Sequence, residues 1–371
     1  MPDKILYISP YLDTDTSFGG SIVSWSNLNK LNDSGFNIIS IAISRTYNSK
    51  VNYSINASKN KFNTALYNLI GVSGRLSFSG INRIKKIITK ENPKLIYLDS
   101  SYLGKLAKII KINYPTIKII TFFHNIEYDF EINRIKKNQY QYMPSLWSAW
   151  LNERKAIKYS DQLFMLHDTD SNRALKLYKR SADFLLPVTL PSSSGLDIQY
   201  QLNNSSQFSF IGFLGTAFYA NTEAAKYISN YIAPLLPEYN FIIAGKGFEK
   251  LKSEIHGDNI TILGSIDSIS EFYNKIDIFI APIFTGGGMK VKISEALSYN
   301  KPIIASSFAL IGYEKVIDNL NVFIANSPNE FVEKIQNFKV LSNPRELFIN
   351  NFSNESVSVS LIKQVKRLYT E

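Results

Sequence analysis

The sequence predicts an α/β protein made of two doubly wound parallel-sheet halves. Three observations carry that expectation. Short apolar runs alternate with helix-period segments along most of the 371 residues. The alternation breaks once, over residues 189–207 (TLPSSSGLDIQYQLNNSSQ), which are rich in Ser, Pro, Asn and Gln and read as a linker, and then restarts. In the second half, the run NKIDIFIAPIF, glycines 286–288, a helical pattern and KPIIAS spell one strand–turn–helix–strand unit, the parallel βαβ arrangement.

In the first half, KILYIS (4–9) is a buried strand and PYLDTDTSFGGS the loop after it. A helix follows over about 21–34, then strand FNIISIAIS (36–44). Residues 45–80 are polar and irregular and read as loops around one short helix. Helix 81–91 leads to KLIYLD, helix 101–113 to TIKIITFFH, helix 143–160 to QLFMLH, and helix 169–180 to FLLPV. The second half reads FSFIGFLG, a helix over 221–234, YNFIIAGKG, NITILGS, a helix over 268–275, DIFIAPI and the glycine unit. Helices over 327–338 and 356–369 close the chain. The expected boundaries are 1–190, a linker at 191–207, 208–355, and a terminal helix 356–371 that packs back on the first domain. Two such halves place a cleft at the carboxyl ends of their sheets, where ligands of open α/β sheets bind.

Composition narrows the function. Hydrophobic residues make up 45% of the chain, enough for two cores, and cysteine is absent, which removes disulfides and thiolate chemistry. The expectation is a chain with no signal peptide and no spanning segment, because no apolar run approaches membrane length. Net charge is +10, distributed unevenly. Residues 1–190 hold 26 Lys and Arg against 14 Asp and Glu, a net +12, whereas residues 191–371 are at −2. INRIKKIITKENPK and LAKIIKINY set lysines beside isoleucines in helical segments, a pattern that suits an anionic membrane surface; nucleic acid is the other reading and a solvated basic face the plain one, and the expected partner is the membrane surface and not nucleic acid. Trp147 and Trp150 share a helix face and read as core or membrane-facing.

The stretch FTGGGMKVKISEAL carries the clearest chemistry. Met289, Ile293, Ala296, Leu297 and Asn300 recur at helical spacing, mostly apolar, and are expected to face a sheet. Glycines at the turn allow close backbone approach, and a helix N-terminus attracts anions. Lys290 and Lys292 in the first turn oppose the helix dipole, and a bound phosphate would explain both. Glu295, three residues after Lys292, can accept two hydrogen bonds from a ribose diol. No Gly-Lys-Ser/Thr follows the glycines, so this is not a P-loop. The three histidines lack metal-ligand spacing, so no metal is expected.

FLGTAFYAN, GKG at 245–247, LGSI at 263–266 and GGGMKVKISEAL stand in an order that resembles the donor domain of the family 4 glycosyltransferases of GT-B fold. ISPYLDTDTSFGGS and HNIEYDFE are similar to that family's acceptor-domain loops. The resemblance implies GT-B architecture, two Rossmann-like domains about a central cleft. It implies transfer of a sugar from a nucleotide-diphosphate donor with retention and without metal. The positive charge of the first half, the half that would hold the acceptor, adds the expectation of a lipid-linked or otherwise membrane-held saccharide acceptor, as in bacterial surface polysaccharide assembly (O-antigen, capsule or similar), on the inner face of the plasma membrane.

Residue by residue, the resemblance assigns Glu295 to the ribose, Lys290 and Lys292 to the diphosphate, and Gly287, Gly288 and Met289 to the amides around it. Gly215, Thr216, Ser265 and Ile266 fall to the donor, Gly19 and Gly20 to a loop approaching the diphosphate, and His124 to the transferred sugar. Glu127, Asp13 and Asp15 are candidates for the acceptor. Two departures from the family pattern stand out. The first glutamate of its E-x7-E signature would fall at Gly287, and the Arg and Lys that follow its first donor-domain strand are absent, with Ala217 and Asn221 in that region. These losses raise an alternative, an inactive nucleotide-sugar-binding partner subunit. A nucleotide-sugar epimerase ranks below both, because no acid–base carboxylate pair is evident.

Overall fold

The computed structural model describes residues 4–14, 19–58, 60–73, 75–195, 209–317, 320–338 and 343–370. Asp15 and the linker residues 196–207 lie outside them. The chain divides into two compact units, Met1–Pro187 with Val357–Glu371, and Val188–Ser356.

Unit 1 is a seven-stranded parallel sheet built from β1 (Lys4–Ser9), β2 (Asn37–Ser44), β3 (Tyr53–Asn56), β4 (Leu95–Leu98), β5 (Lys118–Phe123), β6 (Gln162–Met165) and β7 (Phe184–Leu185). The order is β3-β2-β1-β4-β5-β6-β7. Its helices are α1 (Gly19–Asp33), α2 (Lys61–Leu69), α3 (Phe78–Glu91), α4 (Gly104–Asn113), α5 (Glu127–Lys136), α6 (Met143–Tyr159) and α7 (Asp168–Tyr178). Central strands covered on both faces carry nearly unbroken apolar runs. Thus Ile5 to Ile8 of β1 pair in register with Leu95 to Leu98 of β4, and all eight are fully buried.

The isoleucines of the basic helices point inward. Ile81, Ile84, Ile87 and Ile88 of α3, and Leu106, Ala107 and Ile110 of α4, join the core on one side of the sheet. Helix α3 is capped by Ser77 Oγ, which accepts from Gly80 N, and it stops at Asn92 in left-handed conformation (φ 46°).

Unit 2 is a six-stranded parallel sheet of β8 (Phe210–Leu214), β9 (Asn240–Ala244), β10 (Ile260–Leu263), β11 (Ile278–Ala281), β12 (Ile303–Ala305) and β13 (Val322–Ile324), in the order β10-β9-β8-β11-β12-β13. Helices α8 (Tyr219–Tyr227), α9 (Ile269–Lys275), α10 (Val291–Ser298), α11 (Pro328–Gln336) and α12 (Pro344–Asn351) accompany it. The final helix, α13 (Asn354–Thr370), starts in unit 2 and runs on into unit 1. Helix α8 ends well short of 234, because the chain widens into a π turn at Ile228–Ile232 and then tightens into a 3-10 turn at Ala233–Leu235. Asn259 locks that end, its Nδ2 donating to the carbonyls of Ala233, Leu236 and Tyr239 at 3.1, 2.9 and 3.0 Å.

Some elements carry little apolar periodicity and differ from the sequence expectation. Strand β3 has a polar edge, α5 has acids and bases between its few apolar residues, and β13 spans three residues. Gly19 and Gly20, expected in a loop, form the first turn of α1.

Candidate active site

In unit 2 the chain winds from β8 to β9 and β10 on one side, and through β11 to β12 and β13 on the other. The crossing direction reverses between β8 and β11, the topological switch point at which doubly wound sheets bind ligands. Glycines line the loops at these strand ends. A Cβ on Gly245 (φ 131°), just past β9, would overlap the Gly215 carbonyl just past β8, so the two loops touch backbone to backbone. Of the three glycines after β11, Gly286 (φ 115°) and Gly288 (φ 60°) need conformations that side chains resist, whereas Gly287 does not.

Helix α10 starts at Val291, and Lys290, expected in its first turn, is its cap. No side chain caps that end. Met289, Ile293, Ala296 and Leu297 are buried as the pattern required. Met289 packs under Gly312, and its sulfur lies 3.5 Å from Val188 N.

The two lysines part company. Lys290 folds back on its loop, with Nζ 2.6 Å from the Gly288 carbonyl and 3.3 Å from that of Gly287, over the Phe308 ring. Lys292 reaches across to the end of β8. Its Nζ bonds Asn221 Oδ1 at 2.7 Å, lies over the Phe213 ring, and sits 2.6 Å from where a Cβ on Gly215 would be. Asn221 is itself oriented by Nδ2 donation to the Thr216 carbonyl at 2.7 Å. Burial lowers the Lys292 ammonium from 10.5 to about 7, against a restoring pull from Glu295.

Glu295 lies one turn along α10 and accepts from Tyr273 Oη at 3.1 Å. Burial raises its carboxyl from 4.5 to about 7, opposed by the Tyr273 bond and by Lys292. Tyr273 stacks on Tyr299 with ring centroids 4.5 Å apart, which fixes the hydroxyl that orients Glu295. Ser265 and Ile266 follow edge strand β10, Ser265 exposed and Ile266 half-buried.

Unit 1 gathers a second set of groups. His124 follows β5, and its Nε2 is 3.2 Å from both the Asp99 carbonyl and Asp99 Oδ1. Asp99 Oδ2 accepts from Ser9 Oγ at 2.7 Å, and Tyr11 and Phe122 set their edges against the imidazole. Glu127 opens α5 buried rather than solvated. Burial first, then the nearby Glu153 and Glu131, push its carboxyl well above the ordinary range. Glu153 accepts from Glu127 N at 2.7 Å and from Tyr178 Oη at 2.6 Å, and burial raises it to about 8. Asp13 is ion-paired with Arg75 at 3.0 Å. A Cβ on Gly20 would meet only ordinary contacts with Tyr11, so crowding inside the protein does not dictate glycine there.

Residues 209–339 match the family model described as Glycosyl transferases group 1. No curated protein sequence matches the chain. Among solved structures, the chain is similar to a glycosyltransferase from Rickettsia africae ESF-5, at 16% identity over 99% of each chain with a TM-score of 0.69. It is similar to Anabaena Alr3699/HepE in complex with UDP-glucose, at 12% identity over 98% of this chain and 100% of that one, TM-score 0.66. TarM aligns at 10% identity over 100% and 99%, TM-score 0.67. The fold is GT-B.

Within this GT-B chain, Lys292 and Gly215 meet where β8 ends, Glu295 lies one turn along α10, and Thr216, Gly288 and Met289 lie in the segments after β8 and β11 of the same unit. His124, Glu127, Asp13, Gly19 and Gly20 belong to unit 1. Sequence reasoning missed Tyr273, Asp99 and Glu153, which orient the candidates. Glu153 carried a faint signal, a lone acid on a helix face shared with Ala149, Ala156 and Ile157, all buried.

Proposed function

We propose that the chain is a glycosyltransferase that moves a sugar from a nucleotide-diphosphate donor to a saccharide acceptor, with retention at the anomeric carbon. The observation that carries this reading is the pairing of Lys292 with Glu295 at the switch point of unit 2: an ammonium at the end of β8, and one turn away a carboxylate held by Tyr273. The spacing suits a diphosphate on Lys292 and the amides at 287–290, with the ribose diol on Glu295. Anabaena Alr3699/HepE, with the same fold, binds UDP and UDP-glucose, which supports a nucleotide-sugar donor here.

In this reading the bond between C1 and the phosphate oxygen breaks first, through an oxocarbenium-like state. The acceptor oxygen bonds to C1 on the face the phosphate leaves, and its proton passes to the departing phosphate oxygen. Lys292 and the backbone amides stabilise charge where it develops, with no metal. His124 is assigned to the transferred sugar, and Glu127 and Asp13 to the acceptor side. The acceptor is proposed to be lipid-linked and held at the cytoplasmic face of a membrane, as in surface polysaccharide assembly. Among the described residues no helix is long and apolar enough to cross a membrane, so the association would be peripheral.

The test is a thermal-shift screen of nucleoside diphosphates and their sugars, followed by an assay of nucleoside diphosphate release, with and without EDTA. One donor should stabilise the chain by about 2.7 kcal/mol at 100 times its Kd, and release should survive EDTA. Failure of every donor to bind refutes the site. A second reading, a non-catalytic nucleotide-sugar-binding partner, is motivated by Gly287 standing where the family carries a glutamate. Binding without any turnover, across a panel of acceptors, would favour it.

A further inference from the structure

Helix α2 turns most of its apolar side chains to water. Phe62, Leu66, Leu69 and the following Ile70 share one helix face at i, i+4, i+7 and i+8, and they are 70%, 48%, 53% and 53% exposed. Asn68, by contrast, is buried, and its Nδ2 reaches Ser145 Oγ of α6 at 3.3 Å. Tyr67 packs against the core and Asn68 is buried beside it, yet most of the helix's apolar side chains form a stripe turned to water, unlike an ordinary surface helix. The apolar surface continues onto the neighbours. Phe78 at the start of α3 meets Tyr67 of α2 edge-on at 5.7 Å, and Met143 and Trp147 of α6 are each about half exposed.

Cations rim this surface. Lys105 Nζ lies 3.4 Å from the Ile70 carbonyl and 5.5 Å over the Phe78 ring. Lys155 Nζ comes within 3.4 Å of the Cβ position of Gly71, and Arg154 sits 4.7 Å over the Trp150 ring. Burial first, then Lys105 and Lys108, lower the Lys155 ammonium, so three lysines lie within electrostatic reach of one another. The sequence around them is one-signed. Residues 34–126 hold 14 Lys and Arg and only two acids, Glu91 and Asp99, a net +12 that equals the whole excess of the first 190 residues. Both acids are engaged elsewhere, Glu91 with Lys4 and Tyr53, and Asp99 with His124 and Ser9.

We infer that the outward stripe of α2, extended by Phe78, Met143 and Trp147 and rimmed by Lys105, Lys108, Lys155 and Arg154, docks unit 1 on an anionic lipid bilayer. Apolar side chains enter the boundary between headgroups and acyl chains, and the lysines stay with the lipid phosphates. Aliphatic Leu66, Leu69 and Ile70 have no complementary group on a nucleic acid, while a bilayer answers both the apolar stripe and the positive rim. The inference deepens the membrane-held acceptor of the proposed function and rests on it for the acceptor alone; lipid binding stands independently of transfer.

The experiment is vesicle flotation of the full chain with phosphatidylcholine alone and with 30% phosphatidylglycerol, at about 20 and 500 mM salt. The wild-type chain is expected to float with anionic vesicles at low salt and to be released at high salt. The triple variant Phe62→Ser/Leu66→Ser/Leu69→Ser should lower partitioning about tenfold or more. These side chains are exposed, so the variant should keep the wild-type melting temperature. Val359→Ser, at another exposed apolar position, should bind as wild type. Equal binding by the triple variant, equal binding to neutral vesicles, or no wild-type binding overturns the proposal. So does a wild-type dimer that the triple variant dissolves, because the patch would then be a self-interface. Nucleotide-sugar binding by the same variants separates this failure from failure of the donor site: a variant that loses vesicles and keeps donor stabilisation supports the docking surface.

Discussion

Donor binding should be linked to protonation of Lys292. In the ligand-free chain burial holds this ammonium at about 7, against an ordinary 10.5. A diphosphate beside it favours the charged form, so binding at alkaline pH draws a proton from solvent. The sign follows directly. A group whose pKa is lowered in the empty protein and raised by ligand makes affinity fall as pH rises. Above about 7 the fall should approach tenfold per pH unit, about 1.4 kcal/mol. A nucleotide sugar is the right probe, because its diphosphate is esterified at both ends and does not titrate in this range.

The assay is isothermal calorimetry at pH 7.5, 8.25 and 9.0, in buffers of different ionisation enthalpy. Kd should rise roughly tenfold or more across the range, with close to one proton taken up at pH 9. Lys292→Met should weaken binding and flatten the profile. A wild-type Kd unchanged between pH 7.5 and 9.0 would show that the ammonium does not meet the diphosphate. A profile that persists in Lys292→Met would assign the proton to another group.

Other outcomes follow from the same geometry. Glu295→Gln should weaken nucleotide-sugar binding by about 1.5–3 kcal/mol, the range for hydrogen bonds to a charged group, and Tyr273→Phe by less; wild-type affinity in both would remove the ribose assignment. Gly287→Glu should leave the melting temperature nearly unchanged, because Gly287 has no positive φ, whereas Gly288→Val at φ 60° should cost about 1 kcal/mol or more. In unit 1, Glu153 is raised to about 8 by burial, so its contribution is present at low pH and is lost as pH climbs from about 4.5 through 8. Glu153→Gln should therefore lessen the fall in melting temperature between pH 5 and 9, measured by circular dichroism.

The sheets were legible because parallel strands buried on both faces leave runs such as KILYIS and DIFIAPI that few other structures tolerate. The glycine unit was legible for a related reason, since a strand, a turn needing positive φ and an amphipathic helix follow one another without interruption. Elements held by tertiary context left no such trace. Strand β3 pairs with β2 through residues that alternate polar and apolar, and α5 starts on Glu127, a buried carboxyl that looks like a surface acid in sequence. The side chains that orient the candidates were also invisible. Tyr273 lies 22 residues from Glu295 and Asp99 lies 25 from His124, and only the folded sheet joins them.

The two departures from the family pattern bear on one another once the ammonium of Lys292 is located. The resemblance expects cations after β8, and the sequence has Ala217 and Asn221 there. Lys292 delivers a positive charge to that place from α10, over Phe213 and onto Asn221 Oδ1. Gly215 permits this, because any Cβ there would collide with the ammonium at 2.6 Å. A glutamate at 287 would add a negative group to a loop that holds none and whose lysine, Lys290, is bound to the carbonyls of Gly287 and Gly288. The proposed site therefore predicts that one long lysine from the helix serves the diphosphate where the resemblance expects cations from the loop after β8. The double variant Asn221→Lys/Lys292→Met tests it directly. If the position of the charge is what matters, the double variant should recover donor binding that Lys292→Met loses, and no recovery would show that the helix-borne lysine acts by some other route.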